Sequence, residues 1–177
     1  MTIDTRFSGL GVALPTPFGD DGSLDLGSLR SIARHVVSGG ADFLVALGST
    51  GEAATVEDRE RGEVIAAIRA AAPGTPIVVG TGHNSTAKAA RLAEEAVASG
   101  ADALLIVTPY YNKPSQEGLL AHFIAVAEAA GGAPIIAYNV PGRTGSNLLP
   151  RDLTPLWGIP SLIGIKESSG NLSQIGE

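Results

Sequence analysis

The fold of this chain is indicated most clearly by the stretch Leu162-Ile163-Gly164-Ile165-Lys166-Glu167-Ser168-Ser169-Gly170-Asn171. An apolar run ends there in one lysine, and small polar residues and glycine follow at once. This pattern predicts a strand with Lys166 at its C-terminal end, where parallel α/β sheets and barrels present their chemistry. The other two lysines, Lys88 and Lys113, are not part of a strand-like apolar run.

Lys166 is therefore a candidate nucleophile. Burial in apolar surroundings disfavours an ammonium group, so more of the free amine is available to form a Schiff base. We expect Lys166 to lie in such a desolvated place. The alternative is a lysine that extends into solvent from the strand end and has no catalytic role.

Short apolar runs recur along the chain and alternate with segments of helical periodicity. Their spacing of roughly 30 residues is typical of βα units. One unit start is repeated, because Gly40-Ala41-Asp42 matches Gly100-Ala101-Asp102. Six strands are predicted, at Leu10–Leu14, Phe43–Leu47, Pro76–Val79, Ala103–Val107, Pro134–Tyr138 and Leu162–Lys166.

The ends of the helical segments carry recognisable signals. Thr55 and Asp58 form an approximate capping box before the second helix. Pro150 suits the first turn of a helix, whereas Pro155 follows too closely for a long regular one. Glycines predict helix C-termini at Gly39, Gly40, Gly100, Gly131 and Gly132.

Continuously apolar strands indicate a parallel sheet buried on both faces, so an open doubly wound sheet and a (β/α)₈ TIM barrel both fit. Polar, chemistry-capable residues follow nearly every predicted strand, which favours the barrel, where all strand ends meet at one mouth. Gly80-Thr81-Gly82 is not a dinucleotide fingerprint, because Ser85 occupies the place of the third glycine. We predict an α/β TIM barrel forming a single domain over residues 1–177.

Composition narrows the function. With 44% hydrophobic and 17% charged residues among 177, the chain is globular, and a net charge of −6 argues against nucleic-acid binding. There is no cysteine, no apolar run of the length of a membrane span and no signal-peptide pattern at the N-terminus. We expect a soluble cytoplasmic protein. His83 has no metal-ligand partners at suitable spacing, so no metal is expected.

Three further strand ends carry candidate site residues. Tyr138 comes one strand before Lys166, where its hydroxyl could relay protons, although core packing is the simpler role for a tyrosine. Ser49 and Thr50 lie in Gly48-Ser49-Thr50-Gly51-Glu52, which forms either an anion-binding nest or an ordinary βα turn. Arg143 is placed to bind a carboxylate bidentately, or is simply solvated.

Four motifs in order closely resemble the dihydrodipicolinate synthase family, whose activity is also called 4-hydroxy-tetrahydrodipicolinate synthase. The resemblance extends over essentially the whole chain. The motifs are Gly48-Ser49-Thr50-Gly51-Glu52, Thr108-Pro109-Tyr110-Tyr111-Asn112-Lys113-Pro114, Tyr138-Asn139-Val140-Pro141-Gly142-Arg143-Thr144-Gly145 and Gly164-Ile165-Lys166-Glu167-Ser168-Ser169-Gly170-Asn171.

The resemblance implies a class I aldolase of lysine and diaminopimelate biosynthesis. Lys166 would form a Schiff base with pyruvate, and the derived enamine would attack L-aspartate 4-semialdehyde. No cofactor is implied beyond this covalent imine.

The same resemblance implies the roles of the other site residues. Tyr138, Ser49 and Tyr111 would form a proton relay, with Tyr111 supplied by a neighbouring subunit of a homotetramer, a dimer of dimers. Ser49 and Thr50 would bind the pyruvate carboxylate, and Arg143 that of the semialdehyde. The family usually has threonine where Ser49 stands, and serine keeps the hydroxyl without the methyl that restricts its rotamer.

Two departures from the family pattern lead to further expectations. A typical barrel takes about 250 residues and eight strands, so we expect this chain to be a C-terminally truncated fragment with the first six βα units and little activity alone. Lysine-inhibited members carry an acidic residue near the position of Lys88, beside Asn84. A cation there would repel the ammonium of lysine, so feedback inhibition is expected to be weak or absent.

Two alternative functions remain open at this point. One is a sister aldolase, such as N-acetylneuraminate lyase or a 2-keto-3-deoxy sugar-acid aldolase or dehydratase, in which the serine of Gly-Ser-Thr-Gly-Glu is common. Arg143 and the Tyr111–Pro114 stretch favour the synthase. The other is a non-catalytic barrel protein. The joint presence of Lys166, Tyr138, Ser49 and Arg143 argues against it.

Overall fold

Strands and helices alternate along residues 4–177, the part of the chain that the computed structural model describes. Each of the six predicted apolar runs contains a strand, and no strand end differs from the prediction by more than one residue. Pro76 and Pro134 lie just before their strands, and their carbonyl groups accept hydrogen bonds from Leu44 and Leu104. The strands are β1 Gly11–Ala13, β2 Phe43–Ala46, β3 Ile77–Gly80, β4 Ala103–Val107, β5 Ile135–Asn139 and β6 Leu162–Glu167.

Helices occupy the predicted periodic segments, and the first, fourth and seventh of them begin at polar side-chain caps. The carboxylate of Asp25 accepts from the N–H of Ser28 at the start of the first helix, and Ser115 does the same for Gly118 in the fourth. The helices are α1 Leu26–Ser38, α2 Arg61–Ala71, α3 Thr86–Ala98, α4 Gln116–Ala129, α5 Pro141–Thr144, α6 Pro150–Leu156 and α7 Leu172–Gly176. None of those in residues 4–177 is long and apolar enough to cross a membrane.

One helix end differs from the sequence prediction, and one agrees with it. The capping box predicted at Thr55 and Asp58 is wrong. The hydroxyl of Thr55 donates to the carbonyl of Glu52, and the carboxylate of Glu60 accepts from the N–H of Glu57 instead. A short 3₁₀ turn, Asp58–Glu60, therefore precedes α2. As predicted, α6 is short and contains Pro155.

The chain divides into two compact units, and each is described by itself. The N-terminal unit comprises residues 4–80 and 95–103. In it, β1 pairs with β2 and β2 with β3, all parallel. Its strands are short and apolar, and fully buried aliphatic side chains of both the strands and the helices form its core. These include Leu29, Ala33, Leu44, Ile65, Ile68 and Ile77.

The repeated Gly-Ala-Asp motif has the same function twice in this unit. The carboxylate of Asp42 accepts from the N–H of Leu10 at 2.7 Å, just before β1. The carboxylate of Asp102 accepts from the N–H of Ile77 at 2.8 Å, in the first residue of β3, and also pairs with Arg69. Each aspartate thus satisfies a backbone group at the start of a strand, which explains the repeat in physical terms.

The C-terminal unit comprises residues 81–94 and 104–177. Here β4 pairs with β5 and β5 with β6, again all parallel. Among the described residues β6 has β5 as its only partner strand, and its residues Ile163–Ile165 are half-buried. The core of this unit is formed by buried residues of the strands and of α4, namely Leu104, Ile106, Leu119, Phe123, Val126 and Ile135.

Candidate active site

Lys166 and Tyr138 lie side by side at the C-terminal ends of β6 and β5. The two residues are register partners in the parallel pair, so their side chains leave the sheet on the same face. The Nζ atom of Lys166 lies 4.3 Å from the centroid of the Tyr138 ring. Tyr138 is only 6% exposed. The predicted neighbourhood of this amine and this tyrosine is therefore present.

The predicted desolvation of Lys166 is wrong for this structure. Lys166 is exposed, although it follows half-buried residues in the same strand. The reason is that, within residues 4–177, β6 lies at the edge of its sheet and β5 covers one side of it. The apolar run in the sequence predicted the strand correctly, but the burial of a strand end also depends on which elements surround it.

Tyr111 and Arg143 belong to two loops of the C-terminal unit that are joined by hydrogen bonds. The N–H of Tyr111 donates to the carbonyl of Thr144, and the hydroxyl of Ser146 donates to the carbonyl of Pro109. These bonds fix the loop after β4 against the loop after β5. Both candidate side chains point outward from this pair of loops: Tyr111 is 88% exposed and Arg143 is exposed too.

Several residues of the candidate motifs have left-handed backbone conformations. Tyr111 has φ = 74° and Lys113 has φ = 48° in the C-terminal unit. Leu47 and Glu52 have φ = 53° and 49° in the N-terminal unit. A positive φ is uncommon for residues other than glycine, and such strain concentrates at functional sites. All four flank or belong to the motifs that the sequence singled out.

Ser49 and Thr50 follow β2 in the N-terminal unit, in a turn with the features of a nest. Both residues are exposed. The turn is closed by the N–H of Glu52, which donates to the carbonyl of Ser49, so the N–H groups of Ser49 and Thr50 are not used in that closure. Gly51 allows a close approach of the backbone, because a Cβ there would lie 3.1 Å from the carbonyl oxygen of Leu14 and from the backbone nitrogen of Leu47.

Thr16 supports this turn and was not recognised as a site residue from the sequence. Its hydroxyl donates to the carbonyl of Gly51 at 2.6 Å, and the residue is 4% exposed. Arg61 was also missed; its buried guanidinium donates to the carbonyl of Gly80 at the end of β3. Burial lowers the pKa of Arg61, against the opposing charges of Asp58 and Glu95. The position of Thr16 just after β1 could have indicated its role, whereas Arg61 is the first residue of α2 and its place in the sequence gives no such signal.

A second missed feature is a polar network directly beyond Tyr138 and Lys166. Asn139 and Glu167 are the next register partners, and the side-chain amide of Asn139 donates to the Glu167 carboxylate at 2.8 Å. Gln174 of α7 donates to the same carboxylate oxygen at 3.2 Å. The sequence showed Asn139 and Glu167 inside the motifs, but alternation along a strand places them on the face opposite Lys166.

The charge of Glu167 is stabilised by this network. Burial raises the pKa of its carboxyl group, but the hydrogen bonds from Asn139, Ser169 and Gln174 outweigh burial, so the net shift is below the ordinary value. Glu167 is therefore a carboxylate at neutral pH, with both oxygens engaged in hydrogen bonds.

The histidines take no part in this group of residues: two of them lie on helices, and the third makes local contacts in a loop. His122 is 2% exposed on α4 and shares a hydrogen bond with Thr86, whereas His35 is exposed on α1. The ring of His83 contacts that of Tyr110 edge to face and accepts from the N–H of Ser85. No group of three or more potential metal ligands occurs among residues 4–177.

Comparison with known proteins relates the chain to one enzyme family. The model of the Dihydrodipicolinate synthetase family matches residues 6–177. The chain is 49% identical over 167 residues to 4-hydroxy-tetrahydrodipicolinate synthase of Methylococcus capsulatus, covering 94% of this chain and 57% of that protein. The enzyme of the same name from Porphyromonas gingivalis is 47% identical over 172 residues, with 96% and 58% covered.

Solved structures of the same family are also similar to this chain. Dihydrodipicolinate synthase of Acinetobacter baumannii, chloride-inhibited and complexed with pyruvate, superposes with a TM-score of 0.90 at 45% identity, over 94% of this chain and 57% of that one. The Thermotoga maritima enzyme gives a TM-score of 0.92 at 41% identity, over 96% and 58%. The chain has the fold of the first six βα units of these (β/α)₈ barrels. It spans less than three fifths of the length of these relatives.

Proposed function

Since the chain belongs to the dihydrodipicolinate synthetase family, we propose that its protein is a 4-hydroxy-tetrahydrodipicolinate synthase. This cytoplasmic lyase would condense pyruvate with L-aspartate 4-semialdehyde in lysine and diaminopimelate biosynthesis. The observation that carries the proposal is the amine of Lys166 over the ring of Tyr138, at register-paired ends of parallel strands. A class I aldolase needs an amine and a proton carrier in this relation.

The proposed reaction begins at the Nζ atom of Lys166. The free amine attacks the carbonyl carbon of pyruvate, and loss of water gives an imine. The imine withdraws electrons, so the methyl group loses a proton and an enamine forms. Its carbon attacks the aldehyde carbon of the second substrate, whose oxygen takes up a proton. The amino group of that substrate then attacks the imine carbon, which closes the ring and releases Lys166. No additional cofactor is needed in this scheme.

The other candidate residues take the roles of binding and proton transfer. We assign the pyruvate carboxylate to the turn at Ser49 and Thr50, where backbone N–H groups are left over from the closure of the turn. Ser49 and Tyr138 carry protons between the imine intermediates and solvent. Arg143 binds the carboxylate of the semialdehyde; its exposed guanidinium on a loop anchored by Thr144 supports that role.

Tyr111 is assigned to the site of a neighbouring subunit. Its aromatic side chain is 88% exposed while its backbone is anchored to Thr144, a combination that suits a residue presented to a second copy of the protein. The protein is therefore proposed to act as a homo-oligomer, in which Tyr111 completes the proton relay of the adjacent site.

Reductive trapping tests the proposed function. Full-length protein is incubated with pyruvate and sodium borohydride, which reduces an imine to a stable amine. We expect one pyruvate-derived adduct on the peptide that contains Lys166. Lys166→Ala should not trap, whereas Lys113→Ala is the matched control and should trap normally. The absence of an adduct in the unchanged protein, or trapping by Lys166→Ala, would exclude the mechanism. Condensation with L-aspartate 4-semialdehyde then tests the substrate.

A further inference from the structure

The alignment of Lys166 with Tyr138 is not determined by the whole length of β6. Ile135 pairs with Leu162, but the next residue, Ile136, pairs with Gly164, so Ile163 is an extra residue. Such a bulge separates the register before it from the register after it. β5 is also the only strand that holds β6 among residues 4–177. A slip of one residue would turn Lys166 to the opposite face of the sheet and bring Glu167 to its place.

The bonds just after the site oppose such a slip. Asn139 is fully buried and is itself fixed, because its side-chain oxygen accepts from the N–H of Leu148 at 3.0 Å and its amide donates to Asn147 at 2.9 Å. The same amide donates to the Glu167 carboxylate at 2.8 Å. The second carboxylate oxygen accepts from the N–H of Ser169 at 2.6 Å. Glu167 is thereby bonded to β5 and to the turn after β6 at the same time.

We propose that Glu167 is a positioning residue for Lys166: through its hydrogen bond to Asn139 it holds β6 in the register that sets the amine over the Tyr138 ring. This inference rests on the proposed Schiff-base function. Glu167 touches no reacting atom, since it lies on the face opposite Lys166. It acts by limiting where the backbone of Lys166 can be, and small displacements of a reacting group cost much in rate.

A purely structural role makes a different prediction. If Glu167 only stabilised the fold, its replacement would lower the stability while the folded molecules still reacted at the ordinary rate. If Glu167 positions Lys166, its replacement lowers the rate of imine formation and kcat in molecules that are folded. The KM for pyruvate changes little, because the carboxylate is assigned to the turn at Ser49 and Thr50, which Glu167 does not support.

The test reverses the donor and the acceptor of the bond in the full-length protein. Asn139→Asp places two carboxylates opposite one another, and Glu167→Leu removes the acceptor. Each should lower kcat and the rate of borohydride trapping at saturating pyruvate by about 10- to 100-fold. The double variant Asn139→Asp/Glu167→Gln restores a donor facing an acceptor, because the introduced glutamine donates to the introduced aspartate, and should recover most of the rate that Asn139→Asp loses. Glu128→Gln, an exposed glutamate on α4, is the matched control.

The outcomes separate this inference from the proposed function. If the unchanged protein forms no adduct, both are wrong. If it does, and the folded single variants trap at the same rate or the double variant is no faster than they are, only the positioning role is wrong. Should one single variant fail to fold, the other decides, because the two variants break the same bond from its donor side and from its acceptor side. Trapping slowed by about threefold or more supports the role, and an unchanged rate overturns it.

Discussion

At the scale of single residues, Tyr138 combines two properties that serve different ends. Its ring packs beneath the amine of Lys166, and it is nearly buried at a strand end. A cation above an aromatic face is stabilised by the ring and not by the hydroxyl. Removal of the hydroxyl therefore separates packing from proton transfer.

Tyr138→Phe should keep the amine in place and lose the proton carrier. We expect kcat to fall by about 100-fold or more, within the range that general acid–base catalysis contributes. Pyruvate should still be trapped on Lys166, more slowly. Steady-state kinetics together with borohydride trapping measure both effects. A kcat within about threefold of the unchanged enzyme would remove Tyr138 from the relay.

Lys88 bears on regulation at the same scale. It lies in the first turn of α3, close in sequence to Asn84, and its N–H donates to the hydroxyl of Ser85. We predict that lysine at micromolar concentration does not inhibit the full-length enzyme, because one ammonium group repels another. Lys88→Glu should create measurable inhibition, with Lys88→Gln as the neutral control. Strong inhibition of the unchanged enzyme in a lysine titration would contradict this prediction.

At the scale of elements, the short strands depend on polar groups at their ends as much as on apolar packing. β3 has four residues, and its first N–H is satisfied by Asp102 and not by a neighbouring strand. Arg69 adds a charge partner to the same carboxylate and also donates to the carbonyl of Thr75. Hydrogen bonds and an ion pair thereby connect the start of β3 to α2 and to the turn before β4.

Asp102→Ala should destabilise the protein by about 1–3 kcal/mol, the typical cost of leaving a partly buried donor without its acceptor. Urea unfolding measures the change. Asp20→Ala, at an exposed aspartate, is the control and should change stability by less than about 0.5 kcal/mol. Equal stabilities of the two variants would show that the hydrogen bond to Ile77 contributes nothing.

At the scale of the whole molecule, one buried histidine gives folding a dependence on pH. Burial of His122 lowers its pKa from 6.5 to about 4. Its Nε2 atom has no hydrogen-bond partner within residues 4–177. The folded state therefore prefers the neutral ring, while the unfolded state binds a proton with its ordinary affinity.

The sign of the effect follows from proton linkage. Above about pH 6.5 His122 is neutral in both the folded and the unfolded state, so its protonation does not reduce the free energy of unfolding. As the pH falls from there to about 4, the unfolded state gains a proton that the folded state does not, so up to about 3 kcal/mol is lost.

His122→Gln should lose less stability than the unchanged protein over this range. Urea unfolding at a series of pH values is the measurement, and His35→Gln, at an exposed histidine, should follow the unchanged protein. Parallel curves for the His122 variant and the unchanged protein would contradict the effect of burial.

Much of this molecule was determined by the sequence alone. The six apolar runs predicted the six strands, because short continuous runs of Val, Ile and Leu that recur at the spacing of βα units are typical of a parallel sheet buried on both faces. The four motifs predicted the family, and the spacing of Tyr138 and Lys166 predicted neighbouring strand ends. These features depend on local pattern and on the regular βα repeat.

Only the tertiary structure decided what depends on contacts between distant residues. The exposure of Lys166 follows from the edge position of β6, and the bulge at Ile163 from the pairing of two strands. The bond from Asn139 to Glu167 joins residues 28 positions apart, and neither side chain shows its partner in the linear sequence. Hydrogen-bond partners of this kind are set by register, and register exists only once the strands have paired.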